Sequence, residues 1–227
     1  MGHCSVELKY AHVRLVLATR NPGKLREIEP IFRGTPIRLV GLHELGIDVK
    51  PEEDRLEGEV SFVRNALAKA AYFHERTGRP VMAEDSGIRV DALAGAPGPR
   101  SKRFAPAAMQ KRYGADRANN LLLLRLLRDI PDDRRTAHFH CAVAIVLDDR
   151  RRVFGGRVDG RILRAPRGEG GFGYDPLFYL PERGRTSAEL SLEEKNEISH
   201  RGRAVRAARD WLLDWLADAD LGSHIRS

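Results

Sequence analysis

The 227 residues carry 39 Lys and Arg against 32 Asp and Glu, a net charge of +7, with 42% hydrophobic and 31% charged side chains. That is enough apolar residue for one large domain with a sizeable core, and it excludes a mainly disordered chain. With no run of about 18 apolar residues, no signal-peptide core and only Cys4 and Cys141, the sequence excludes a membrane span and a disulfide framework and points to the cytoplasm.

The basic balance has two readings, a nucleic-acid binder or a diffuse arginine excess. Arg150–Arg152 and Arg100–Arg103 are short groups flanked by acids or turns, and no aromatic residues interleave them. The excess is therefore read as diffuse, with no nucleic-acid partner, although it would favour a polyphosphate electrostatically.

Residues 1–12 read as a flexible leader. Val13 to Ala18 is a β-branched apolar run, a buried strand. TRNPGK turns it into a helix with Leu25, Ile28 and Phe32 on one face, and Pro30 predicts a kink or early end. Ile37 to Val40 is a second strand, and Glu44 to Gly58 reads as loop. Ser61 caps a long helix with an apolar stripe of Val63, Ala66, Leu67 and Ala70, closed by Gly78. Pro80 to Ala83 is a strand ending in EDSG, and Ile88 to Leu93 continues apolar. GAPGP (Gly95 to Pro99) is a rigid loop, and Asp116 to Arg128 is a leucine-rich helix. Thr136 to Leu147 alternates with period two, a strand that pairs with Val153 to Val158. A glycine-rich loop, GEGGFGYDP, follows. Ser191 with Glu194 is a capping box. Ser199 caps a final helix with Val205, Ala208, Leu212 and Trp215 on its face. The class is α/β with a mixed sheet.

Five segments carry candidate chemistry. In TRNPGK, Thr19, Arg20, Asn21, Pro22, Gly23 and Lys24 lie between strand and helix, where backbone N–H groups and the lysine suit an anion; the alternative is a tight turn. In EDSG, Glu84 and Asp85 leave a buried strand side by side, either as a solvated turn or as oxygen ligands for Mg²⁺. Lys69, in an alanine-rich helix, is either a snorkelling surface lysine or a side chain aimed at a site. In GGFGYDP, Phe172 and Tyr174 offer flat faces to a ring, beside Gly173 and Asp175; a structural bend is the alternative. In KNEISHRGRA, Lys195, His200 and Arg201 gather at a helix start, where an anion or a carbonyl oxygen would be welcome; by itself the segment reads as an ordinary basic helix end. His138 and His140 read as part of a solvated sheet face, with a metal site as the alternative.

In order along the chain, LVLATRNPGKLREI, AEDSG, GAPG with Ser101 and Arg103, GGFGYDP and AELSLEEKNEISHRG closely resemble the inosine triphosphate pyrophosphatase family, the XTP/dITP diphosphatases. The resemblance covers Val13 to Leu216. It implies a single two-lobed domain over residues 13–227, with a mixed central sheet flanked by helices and an active site in the cleft between lobes. It implies a homodimeric, Mg²⁺-dependent hydrolase that converts ITP, dITP and XTP to monophosphate and pyrophosphate, cleansing the nucleotide pool. By motif position it implies that Thr19 to Lys24 hold the triphosphate and that Lys69 contacts phosphate. Asp85 would be proton acceptor and metal ligand, with Glu57 at the metal and Glu84 a further candidate. Ser86, Phe172, Gly173, Tyr174, Asp175, Lys195, His200 and Arg201 match substrate-binding positions. The segment LEGEVS departs from the family pattern, so Glu59 competes with Glu57. Arg100 and Lys102 replace commoner residues beside Ser101.

Overall fold

The computed structural model describes residues 13–58, 61–148 and 150–224, with side chains to Asp218. The leader, Cys4 and Glu59 lie outside the described residues. One seven-stranded sheet runs in the order β2-β1-β3-β4-β5-β6-β7. β1 (Val13–Leu17) pairs in parallel with β2 (Ile37–Gly41) and with β3 (Val81–Val90). β4 (Thr136–Val146), β5 (Arg151–Ile162), β6 (Phe178–Leu180) and β7 (Arg185–Thr186) then add antiparallel.

The pleat sends alternate side chains to opposite helical layers. Leu15, Leu17, Met82, Cys141, Val143 and Ile145 meet Ile28 of α1 (Pro22–Ile28) and Val205, Ala208 and Leu212 of α6 (His200–His224). Val16, Ala18, Val81, Ala83, Ala142 and Ala144 meet Phe62, Ala66, Ala70 and Phe73 of α2 (Phe62–Thr77). A third cluster joins Ile88 and Val90 at the far end of β3 to Leu123 of α4 (Ala115–Leu126), Phe139 and Phe178. Burying this much apolar surface, at about 25 cal/mol per Å², is the main force holding the layers together.

Local signals account for most boundaries. Ser61 Oγ accepts from the Arg64 N–H, and Gly78 closes α2 at φ +60°. α1 stops before Pro30 and continues as a 3₁₀ turn, Glu29–Phe32. Ser191 and Glu194 form their capping box at the head of α5 (Leu192–Ile198). Ser199 Oγ accepts from the Gly202 N–H at the start of α6.

Three expectations are corrected and one helix is added. Val63 is 40% exposed, while Phe62, Asn65 and Lys69 turn inward, so the buried face of α2 is rotated from the predicted stripe. Residues 44–58 contain a 3₁₀ segment, Pro51–Glu57. A short helix, α3 (Ala107–Tyr113), precedes α4. EDSG is not a strand end: β3 runs unbroken through it, paired with β4 along its whole length.

Candidate active site

Because β3 continues through Glu84–Gly87, these residues sit at mid-sheet between the apolar clusters, and a cleft of about 770 Å³ opens over them. Of the described residues nominated from sequence for the site, all but Gly23 and Glu84 line that cleft.

The pleat separates the two adjacent acids. Asp85 faces α2, where Asn65 Nδ2 donates to its Oδ2 at 2.8 Å and Lys69 Nζ lies 3.6 Å from Oδ1. Lys69 is buried, which removes the surface-lysine reading. Its ammonium donates to Glu57 Oε1 at 3.0 Å and to the Glu84 carbonyl at 2.6 Å. Arg103 Nη2 holds the other oxygen of Glu57 at 3.3 Å. Burial works against ionisation of Glu57, but the charges of Lys69, Lys24 and Lys102 outweigh it and lower its pKa to about 2. At Asp85 burial wins over Lys69 and Lys24, and its pKa rises. Lys69 stays protonated: burial opposes its charge, but Asp85, Glu57 and Glu84 together raise its pKa.

Glu84 turns to the other face. Its Oε1 lies 2.5 Å from Lys24 Nζ, and its Oε2 accepts from Cys141 Sγ at 3.4 Å and lies 3.7 Å from Arg201 Nε. Burial raises its pKa, and the surrounding cations more than reverse that. Glu84 and Asp85 therefore do not converge. Among the described residues no group of three His, Cys, Asp or Glu side chains is placed to hold an ion.

The phosphate-cradle reading of TRNPGK changes in detail. Asn21 Oδ1 accepts from the Gly23 and Lys24 N–H groups at 2.8 and 3.3 Å, so this side chain caps α1 and takes up those donors. Thr19 Oγ1 accepts from the Asn21 N–H. Gly23 is needed for packing: a Cβ there would lie 2.5 Å from the Phe172 ring. Lys24 remains the cation of this loop. The Arg20 guanidinium is committed to Glu53 and to backbone carbonyls.

The opposite corner is aromatic and cationic. Lys195 Nζ and Arg201 Cζ lie 5.2 and 5.4 Å from the Phe172 ring centroid. Lys195 bonds to Asp175 Oδ2 and, at 2.7 Å, to Glu27 Oε1. Arg201 bonds to Glu27 Oε2 and donates to Ser86 Oγ at 2.8 Å. Phe172 keeps its place because its N–H donates to Asp175, while Asp116 and Asn120 of α4 bind the N–H and C=O of Gly173. Tyr174 does not offer a face: it is buried, and its hydroxyl donates to the Ser101 carbonyl. His200 stacks on Phe139 at 4.7 Å, and burial beside Arg201 and Lys195 drives its pKa well down, so the imidazole is neutral. Among the described residues its Nδ1 has no hydrogen-bond partner.

Glu27 and Asn65 are central here, and sequence reasoning passed over both. The available signal was weak: each is a polar residue on the same helical face as buried neighbours, Gly23 for one and Ala66 and Lys69 for the other. His138 and His140 are half-buried on the α2 side of the sheet. His140 stacks on Phe62 at 5.3 Å, so that face is partly covered rather than fully solvated.

The chain is similar to known proteins over most of its length. The sequence pattern of the Ham1 family matches residues 15–211. A dITP/XTP pyrophosphatase of Geobacter sulfurreducens is 47% identical over 200 residues, covering 88% of this chain and 96% of the relative. One of Streptomyces coelicolor is 48% identical, covering 86% and 94%. The structure of a HAM1 protein from Coxiella burnetii superposes with a TM-score of 0.77 at 36% identity, covering 89% of this chain and 99% of the other. A nucleoside-triphosphatase / dITP/XTP pyrophosphatase from Mycobacterium abscessus gives 0.65 at 42% identity, covering 86% and 98%. A match that spans the cleft and nearly the full length of these relatives shows that the chain belongs to the Ham1 family.

Proposed function

We propose that the protein hydrolyses non-standard purine nucleoside triphosphates (ITP, dITP and XTP) to the monophosphate and pyrophosphate; its relatives are named dITP/XTP pyrophosphatases. One observation carries the reading. A single cleft holds a Glu57–Lys69–Asp85 cluster, with Lys69 and Asp85 buried, at one end and a Phe172 ring flanked by Lys195 and Arg201 at the other. The first suits phosphates, the second a flat base, and the volume lies within the roughly 300–1,000 Å³ of small-molecule sites. Two lobes meeting at mid-β3 is the arrangement that suits such a cleft.

The donor set fits Mg²⁺. Glu57 and Asp85 both lie within 3.6 Å of one lysine nitrogen, so their oxygens share a small volume. Two carboxylates are a sufficient protein share for an ion that keeps several waters and bridges to phosphate. Glu57 and Asp85 would hold it, and when bound it would neutralise charge on the phosphates. Glu84, on the other face, acts instead as the counter-charge that orients Lys24 and Arg201.

Asp85, with its raised pKa, accepts the proton of a water that attacks the α-phosphorus. The new P–O bond replaces the bond to the bridging oxygen, and pyrophosphate leaves with its charge met by Lys24 and Lys69. Phe172 stacks on the purine. His200 and Arg201 face its 6-oxo edge, where an adenine amino group would set donor against donor. Two copies of the chain acting as a homodimer in the cytoplasm complete the proposal. Among the described residues no helix is long and apolar enough to cross a membrane.

The test is steady-state pyrophosphate release from ITP, dITP, XTP, ATP and GTP, with and without Mg²⁺. ITP should exceed ATP in kcat/KM by at least about 10²-fold. Equal efficiency on both would remove the base-selective assignment.

A further inference from the structure

The resemblance places Arg20 among the groups that hold the triphosphate, but four of its five N–H donors are committed elsewhere. Nε and Nη2 donate to Glu53 Oε2 and Oε1, both at 2.9 Å. Nη1 donates to the Ile47 carbonyl and Nη2 to the Asp48 carbonyl, both at 3.0 Å. This is a two-pronged grip on a carboxylate combined with a grip on the backbone before it, a geometry open to a planar guanidinium and closed to an ammonium. Glu53 Oε1 also accepts from the Lys50 N–H, so the carboxylate ties together both ends of the turn into the 3₁₀ segment.

The gripped segment is a wall of the cleft, contributed by Val49, Lys50, Glu53, Asp54, Leu56 and Glu57. No residue of Pro51–Glu57 is buried, so apolar packing does not anchor it. Among the described residues its outward polar ties are the Arg20 fork at its head and the bonds of Glu57 to Lys69 and Arg103 at its tail. The segment is also acidic, with Glu52, Glu53, Asp54 and Glu57. A polyanion in the cleft would repel it, and the fork resists that repulsion by neutralising Glu53 and fixing the chain at Ile47 and Asp48.

We propose that Arg20 is a positioning residue: it fastens the acidic wall 47–57 to the β1–α1 loop and so sets Glu57 beside Lys69, and it does not bind phosphate. The inference rests on the reading of Glu57 as a metal-holding residue, and it assigns the loop's phosphate contact to Lys24.

The test compares Arg20→Ala, Arg20→Lys and Glu53→Gln in the full chain. Hydrogen–deuterium exchange reports the wall directly, with β1 and α2 as internal folding controls. Mn²⁺ binding, followed by electron paramagnetic resonance, reports the metal-holding geometry without turnover. Arg20→Ala and Glu53→Gln should each speed exchange over 48–57 and weaken Mn²⁺ binding by about tenfold, the scale of a part-exposed bidentate pair. Arg20→Lys should not restore either. Pyrophosphate release should then need more Mg²⁺, with kcat recovered at saturation and KM for ITP little changed. Glu53 cannot bind phosphate, so its matching phenotype separates the roles. Unchanged exchange in both variants would overturn the proposal. So would a raised KM in Arg20→Ala alone. If the parent protein releases no pyrophosphate, the functional reading fails while exchange and Mn²⁺ binding still judge the fork.

Discussion

Lys69→Met keeps the length of the side chain and deletes the charge that Glu57 and Asp85 share. Removing one partner of a fully buried ion pair costs about 3–5 kcal/mol, because the remaining charge is left without compensation. The Lys69 and Asp85 side chains are 9% and 7% exposed, but Glu57 is 26% exposed and keeps Arg103. The low end of that range applies, about 3 kcal/mol, which for a chain of this size lowers Tm by about 6–12 °C. The loss depends on pH. The Asp85 pKa is already raised by burial against the pull of Lys69, and without the lysine it rises further. A carboxyl with a raised folded-state pKa takes up a proton in the folded protein first, so stability recovers as pH falls. The gap between variant and parent should therefore narrow from neutral to mildly acidic pH. Urea unfolding at the two ends of that range gives the gap, and Lys69→Met/Asp85→Asn should recover part of it. Turnover should fall by about 10²-fold with a modest change in KM, because the ammonium acts on charge that grows in the transition state. A variant within about 0.5 kcal/mol of the parent, or a gap indifferent to pH, would refute the reasoning.

Asp85→Asn should lower kcat by about 10²-fold or more while the fold survives. The parent's activity should decline as pH falls through a midpoint above the ordinary aspartate range, and the variant should lose that limb. Glu57 cannot supply the limb, since it stays ionised to about pH 2; near-normal turnover would move the base elsewhere. EDTA should abolish pyrophosphate release and Mg²⁺ should restore it, and full turnover in a metal-free sample would end that part of the proposal. Gly156→Ala should destabilise by about 1–3 kcal/mol and raise KM for ITP. Its Cβ would overlap the His200 carbonyl and sit 3.0 Å from the Ala204 backbone nitrogen, pushing on the helix start that carries Arg201. A Tm equal to the parent's would show that β5 and α6 are less closely seated.

Local chemistry was legible wherever a single residue decides a single turn of chain. Ser61, Gly78, Pro30 and Ser191 act through bonds or torsions within four residues, so their helix boundaries could be read directly. Period two revealed β4, and the order of the five motifs identified the family and most of the cleft lining. β6 and β7 escaped because three and two residues contain no period. Only the tertiary structure separated Glu84 from Asp85. Adjacent on paper, they are sent to opposite faces once β3 pairs with β4 through EDSG, and the end of a strand cannot be fixed without its partner. Only the tertiary structure also revealed Glu27, whose charge is tolerated in the interior because Arg201, 174 positions away, and Lys195 close on it. Burial of a charge depends on the groups that compensate it, and those arrive from remote parts of the chain. For the same reason Arg20 looks like a phosphate ligand in TRNPGK and in the folded protein grips Glu53 instead.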